Sequence, residues 1–164
     1  MKRSQTIALA GFVVVLAVIV AVIVIGRSGD DDGGSSEGLT DTSVKPVIEV
    51  PDEPPPTELE TEDIVTGDGP EAKAGDQISV QYVGVDYETG TQFDASWDNG
   101  APFDFELGSG SVIPGWDEGI VGMKVGGRRE LVIPPDLAYG EQGSPPNIGP
   151  NATLVFVVDL LSVN

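Results

Sequence analysis

Hydrophobic and polar positions alternate along the second half of the chain in a way that predicts strands. Ile78, Val80 and Tyr82 alternate with Gln77, Ser79 and Gln81, the pattern of a half-buried strand. Phe103, Phe105 and Leu107 alternate in the same way with Asp104 and Glu106. A third short run covers Arg129 to Ile133 and is stopped by Pro134-Pro135. Thr153 to Val163 is apolar on both faces over its first half, which predicts a central strand. Glu88-Thr89-Gly90, Asn99-Gly100, Gly126-Gly127 and Gly149-Pro150 supply the turns between these runs. One helix is expected, from Pro114 to Val121. Pro114 suits its first turn, Asp117 and Glu118 suit the positive end of its dipole, and Gly122 can stop it. Trp116, Ile120 and Met123 would share one face. The fold class implied is α+β, a curved antiparallel β-sheet wrapped around one short α-helix with Trp116 beneath the helix start.

The first part of the chain follows other rules. Ile7 to Ile25 contains no charged residue and is dense in Val, Ile, Ala and Leu. As a helix this run would span roughly 28 Å, close to the hydrocarbon thickness of a bilayer. Lys2 and Arg3 precede it, whereas Asp30, Asp31 and Asp32 follow Arg27, so the positive-inside bias puts the C-terminal part outside the cytoplasm. A cleaved signal peptide is the competing reading, and the Ile23–Arg27 stretch is a poor cleavage site. A lipid anchor on cysteine is excluded because the chain has none. Residues 28–63 then read as a disordered, acidic linker. Gly29, Gly33, Gly34 and Gly38 loosen its first part, and Pro51 and Pro54-Pro55-Pro56 stiffen its second. An inert spacer is the expectation for all of it. The division is an anchor over 1–27, a linker over 28–63 and a folded domain over 64–164.

Composition narrows the chemistry. The 164 residues include no histidine and no cysteine. Disulfides, Cys/His zinc sites, cysteine nucleophiles and a Ser-His-Asp triad are therefore excluded. The formal net charge of −19 opposes a phosphate backbone, so no nucleic-acid partner is expected. The Asp30–Asp32 run lacks the spaced ligands of an ordered calcium loop, and no metal site is expected. Asn151-Ala152-Thr153 has the form of a glycosylation sequon but falls where the last strand should begin, and it is read as chance.

What remains is a set of aromatic and branched residues at strand and loop ends. The motifs run in order as Val80-Gln81-Tyr82-Val83-Gly84, Phe93-Asp94-Ala95-Ser96, Pro102-Phe103-Asp104-Phe105, Val112-Ile113-Pro114-Gly115-Trp116-Asp117-Glu118-Gly119, Ile133-Pro134-Pro135-Asp136-Leu137-Ala138-Tyr139-Gly140 and Ala152-Thr153-Leu154-Val155-Phe156. Six such motifs in this order over about a hundred residues resemble the FKBP-type peptidyl-prolyl cis–trans isomerases across the whole domain.

The resemblance implies a pocket with Trp116 as its floor and Tyr82, Phe93, Phe103, Val112, Ile113, Tyr139, Ile148 and Phe156 as its walls. Asp94, the Tyr139 hydroxyl and the Ile113 backbone N–H would be the polar anchors, and no cofactor is needed. Tyr82, Phe93, Asp94, Tyr139 and Phe156 would act on the bond being rotated, with Phe103, Val112, Ile113, Trp116 and Ile148 holding the substrate. Phe105 is expected in the core alone. The partners implied are proline-containing polypeptides and rapamycin-like macrolides, bound by a monomer held at a membrane through residues 7–25. Ser144, Asn99 and Asn147 depart from the familiar pattern at the pocket rim, where they bear on substrate preference. A non-catalytic module that binds proline peptides or macrolides is the alternative function.

Overall fold

The computed structural model describes residues 37–164. A single turn of helix, α1 (Glu37–Thr40), comes first, followed by strands β1 (Glu60–Val65), β2 (Gln77–Asp86) and β3 (Gln92–Ala95). After the one-turn α2 (Ser96–Asn99) come β4 (Phe103–Glu106), α3 (Pro114–Gly119), β5 (Arg128–Ile133) and β6 (Leu154–Val163). The sheet is antiparallel throughout, in the order β1-β5-β6-β2-β3, and β4 shares the outer edge of β2 with β3.

Alternation along the strands sorts side chains to two faces. Ile78, Val80 and Tyr82 of β2 point inward with Leu131 and Ile133 of β5 and Leu154, Phe156 and Val158 of β6. Trp116 of α3 and Ile120 just after it close this core together with Met123, Phe105 and Leu107. The helix fits tightly because residue 115 is glycine: a Cβ there would stand 2.4 Å from Ile133 Cγ2. Helix α3 is shorter than the sequence pattern predicts, ending at Gly119.

The outer face is also covered. Val83, Val85, Tyr87, Ala95 and Val155 form a second cluster, and Ile48 and Val50 pack on it with Trp97 and Val132. Residues 39–50 therefore lie on the sheet as a strap. Arg128, fully buried, holds the start of that strap through its Nη1 to the Leu39 carbonyl and its Nη2 to the Val44 carbonyl, each at 2.9 Å. The same guanidinium makes a bidentate ion pair with Asp159. Farther along, Pro46 is buried and Lys45 reaches both oxygens of Asp98 at 2.7 and 2.8 Å.

These contacts correct the expectation of an inert spacer over residues 28–63. Within the described part, a buried cation needing acceptors and an apolar outer face draw residues 39–50 onto the domain. The expected boundary at residue 64 also falls inside β1, whose polar composition carries no alternation. That strand exists because it pairs with β5, with Asp63 taking both Nε and Nη2 of Arg129. Among the described residues no helix is long and apolar enough to cross a membrane; the apolar run at 7–25 lies outside them.

Candidate functional site

The inner face opens where β2, β3, β4 and α3 meet, and the aromatic residues gather there. Trp116, 4 % exposed, is the hub. Its ring centroid lies 5.0 Å from Tyr82, 5.2 Å from Phe156 and 6.2 Å from Phe103, all edge-on. Phe93 meets Phe156 edge-on at 5.5 Å. Such T-shaped contacts set the positive edge of one ring against the negative face of another and favour one arrangement of the wall. Phe103 is 40 % exposed, so the cluster is open to solvent on the β4 side.

Local structure explains how the rings converge. Gly84 pairs with Asp94 on one side and Phe156 on the other. A Cβ on Gly84 would sit 2.7 Å from both Phe93 Cζ and Phe156 Cε1, so the glycine is the floor on which these two rings meet. The register of β2 and β3 shifts between Gly84 and Val85, opposite Phe93.

Polar groups occupy the rim. The Tyr82 hydroxyl donates to Asp94 Oδ2 at 2.6 Å. Burial, then the hydrogen bond to Asp94, drives the Tyr82 pKa far above the ordinary tyrosine value, so it stays a donor. Tyr139 is 41 % exposed, and its pKa is also raised, by partial burial and then by the negative charge of Asp94. Val112 and Ile113 pack against the core at the start of α3. The Ile113 carbonyl accepts from Trp116 and Asp117, whereas no acceptor among the described residues takes its N–H. Ile148 is buried, and two backbone hydrogen bonds to Ser144 close the loop that carries it.

Tyr82, Phe93, Phe103, Trp116 and Phe156 are thus brought together in ring contact, and Asp94 joins them through Tyr82. Val112, Ile113 and Ile148 flank the same core, and Tyr139 stands within the field of Asp94. Phe105, expected in the core alone, also stacks on Phe103 at 5.4 Å and lies 5.6 Å from Trp116, so it backs the wall. Ser96 is a further contributor that the pattern did not single out. Its buried Oγ accepts from the Tyr82 N–H at 2.8 Å and donates to Gln81 Oε1, fixing the turn after Asp94. A hydroxyl directly after a strand is a weak signal in sequence, since serine at such places is most often solvated.

Candidate metal-binding clusters of carboxylates are absent among the described residues. The site has no histidine, no cysteine and no base held against a nucleophile. Its chemistry is that of shape: an apolar aromatic slot with a carboxylate, a tyrosine hydroxyl and a backbone donor at its mouth. Fold and site together define a small sheet-and-helix domain with an aromatic cluster on its inner face and polar groups at its rim.

Comparison with known proteins gives this class its family. Residues 69–161 match the family model for FKBP-type peptidyl-prolyl cis-trans isomerase. The chain is 55 % identical over 120 residues to the FK506-binding protein of Streptomyces anulatus, covering 73 % of this chain and 97 % of that one. It is 52 % identical over 118 residues to the probable FK506-binding protein of Corynebacterium glutamicum, covering 72 % and 98 %. Among solved structures, that of AtFKBP13 superposes with a TM-score of 0.61 at 40 % identity, covering 65 % of this chain and 93 % of that one. The chain belongs to the FKBP-type peptidyl-prolyl cis–trans isomerases.

Proposed function

We propose that this domain rotates Xaa-Pro bonds in polypeptides outside the cytoplasm, using the Trp116 slot for the proline ring. The observation that carries the reading is the convergence of Tyr82, Phe93, Phe103 and Phe156 around Trp116, with Asp94 and Tyr139 at the mouth.

The barrier to rotation, about 18–20 kcal/mol, comes from delocalisation of the nitrogen lone pair into the carbonyl. The planar amide is charge-separated, so an apolar wall disfavours it relative to the twisted amide. A slot complementary to the twisted form binds the transition state more tightly than either planar isomer. Lowering the barrier by about 5 kcal/mol corresponds to several-thousand-fold acceleration. In this reading the Ile113 N–H and the Tyr139 hydroxyl donate to substrate carbonyls. Asp94 acts through its charge and by fixing Tyr82. No proton is transferred, so a chain without histidine loses nothing.

The apolar run over residues 7–25 supports a membrane anchor, with the acidic residues after it on the outer side. Slow prolyl isomerisation limits the folding of newly exported chains, and a tethered domain would meet them there. A monomer suffices, since every wall of the slot comes from one chain. Rapamycin-like macrolides would enter the same slot.

A protease-coupled assay on a proline tetrapeptide tests the activity: a rate gain that falls in Asp94→Val and Tyr139→Phe is expected. Macrolide binding with no rate gain would instead make the domain a binding module. Membrane fractionation with N-terminal sequencing tests the location: a membrane-bound chain that retains residues 1–27 is expected, and a soluble one contradicts the anchor.

A further inference from the structure

The docked strap bears on the pocket as well as on stability. Asp94 and Phe93 sit on β3, an edge strand of four residues that pairs on one side only, with β2. The shift in register between Gly84 and Val85 weakens even that pairing at the position of Phe93. An element so placed has little backbone hydrogen bonding of its own to hold a carboxylate within a few tenths of an ångström.

Side chains supply the hold. The Asp98 carboxylate, at the end of α2, accepts from Gln92 Nε2 at 2.8 Å and from Lys45 Nζ at 2.7 and 2.8 Å. Gln92 and Asp98 bracket Phe93 and Asp94, so one carboxylate joins both ends of the pocket-bearing segment. Lys45 then ties that carboxylate to the strap. The strap is itself fixed on both sides of Lys45. Before it, the Val44 carbonyl accepts from the buried Arg128. After it, Pro46 is buried and Ile48 and Val50 lie on Val83, Val85 and Ala95 of the outer face.

We propose that Lys45 is a positioning residue for the isomerase pocket: anchored to the outer face by the strap, it pins Asp98 and thereby sets the β3–α2 segment that carries Phe93 and Asp94. This rests on the isomerase reading of the site. The ion pair is exposed, with 36 % of the lysine and 52 % of the aspartate side chain accessible. Its effect on global stability is therefore small and salt-sensitive. Its effect on the pocket is local, because it holds the Gln92–Asp98 side of a segment that Tyr82 and Ser96 hold from the other side. The residues that touch substrate lie on the inner face, and Lys45 acts on them only through Asp98.

The test uses the full chain and compares Lys45→Met, Lys45→Arg and Lys73→Met, the last removing the same charge from an exposed site away from the strap. Isomerase kcat/KM, Tm and the backbone amide NMR signals of Phe93 and Asp94 are measured at low and high salt. In Lys45→Met at low salt, kcat/KM is expected to fall about threefold, as an exposed ion pair allows, with Tm almost unchanged. The Phe93 and Asp94 signals shift or broaden, Lys45→Arg restores both readouts, and Lys73→Met matches the parent chain. In molar salt the parent chain converges on Lys45→Met. If Lys45→Met keeps the parent kcat/KM, or leaves the Phe93 and Asp94 signals in place, the positioning role is wrong. If the parent chain has no isomerase activity, the isomerase reading fails, and the NMR signals still decide whether Lys45 positions the segment.

Discussion

The hydroxyl of Tyr82 and the carboxylate of Asp94 form a 2.6 Å hydrogen bond across the β2–β3 pairing. It links the wall of the slot to its charged mouth, and it holds Tyr82 in its donor form. Tyr82→Phe leaves Asp94 with solvent in place of a fixed donor. A hydrogen bond to a charged group contributes about 1.5–3 kcal/mol, and solvent recovers part of it at an open rim. A loss in kcat/KM of roughly tenfold is expected. A double-mutant cycle with Asp94→Asn checks the link: the two changes combined should cost clearly less than the product of the single effects.

Gly84 makes the meeting of Phe93 and Phe156 possible. Gly84→Ala places a methyl group 2.7 Å from both rings, which already meet edge-on, and Phe156 is also packed edge-on against Trp116. Overpacking of this kind costs about 1–3 kcal/mol, and denaturant unfolding should show it. The rings move as well, so kcat/KM should fall by more than the shifted stability alone explains.

Arg128 and Asp159 are buried together, and burial raises the Asp159 pKa more than Arg128 lowers it. Arg128→Met leaves a buried carboxylate unpaired and frees the Leu39 and Val44 carbonyls. A loss of about 3–5 kcal/mol is expected, measured by denaturant midpoint. The double change Arg128→Met with Asp159→Leu should recover much of it. Limited proteolysis should cut residues 39–50 faster in both variants, since the strap loses its guanidinium in each.

Glu130 lies on the outer face beside Glu62, and burial, then that neighbouring charge, raises its pKa. A carboxyl with a raised folded-state pKa contributes stability below its unfolded value, near 4.3, and that contribution is lost as pH rises through the folded value. Glu130→Gln removes this loss. The variant should melt at a higher temperature than the parent chain at pH 7, and the difference should close on approach to pH 4. Equal melting temperatures across that range would show that Glu130 is relieved by solvent.

Much of the inner face was legible in the chain. Ile78, Val80 and Tyr82 alternate because one side of β2 faces α3, and Pro114 with Trp116 marks the helix start by elementary capping rules. The outer strap was not legible in the same way, because its reasons lie elsewhere in the sequence. Residues 39–50 carry acids, a proline and scattered valines, which alone read as linker. Their order comes from Arg128, which needs carbonyl acceptors, and from Val83, Val85 and Val155, which leave the second face apolar. The two-faced apolarity of Thr153 to Val163 was the available hint: a strand buried on both sides requires a cover on each. Strand β1 was hidden for a related reason. Glu60, Thr61 and Glu62 are exposed, and pairing with β5 rather than burial makes them a strand.

The most direct test of the slot is exchange NMR on an Ala-Pro peptide mixed with catalytic amounts of the chain, which reads cis–trans interconversion without a coupled protease. Exchange cross-peaks that appear with the parent chain, weaken strongly with Asp94→Val and Tyr139→Phe, and vanish on saturating the slot with a macrolide are the expected result. Exchange at the uncatalysed rate with the parent chain would contradict the assignment of the Trp116 slot as an isomerase site.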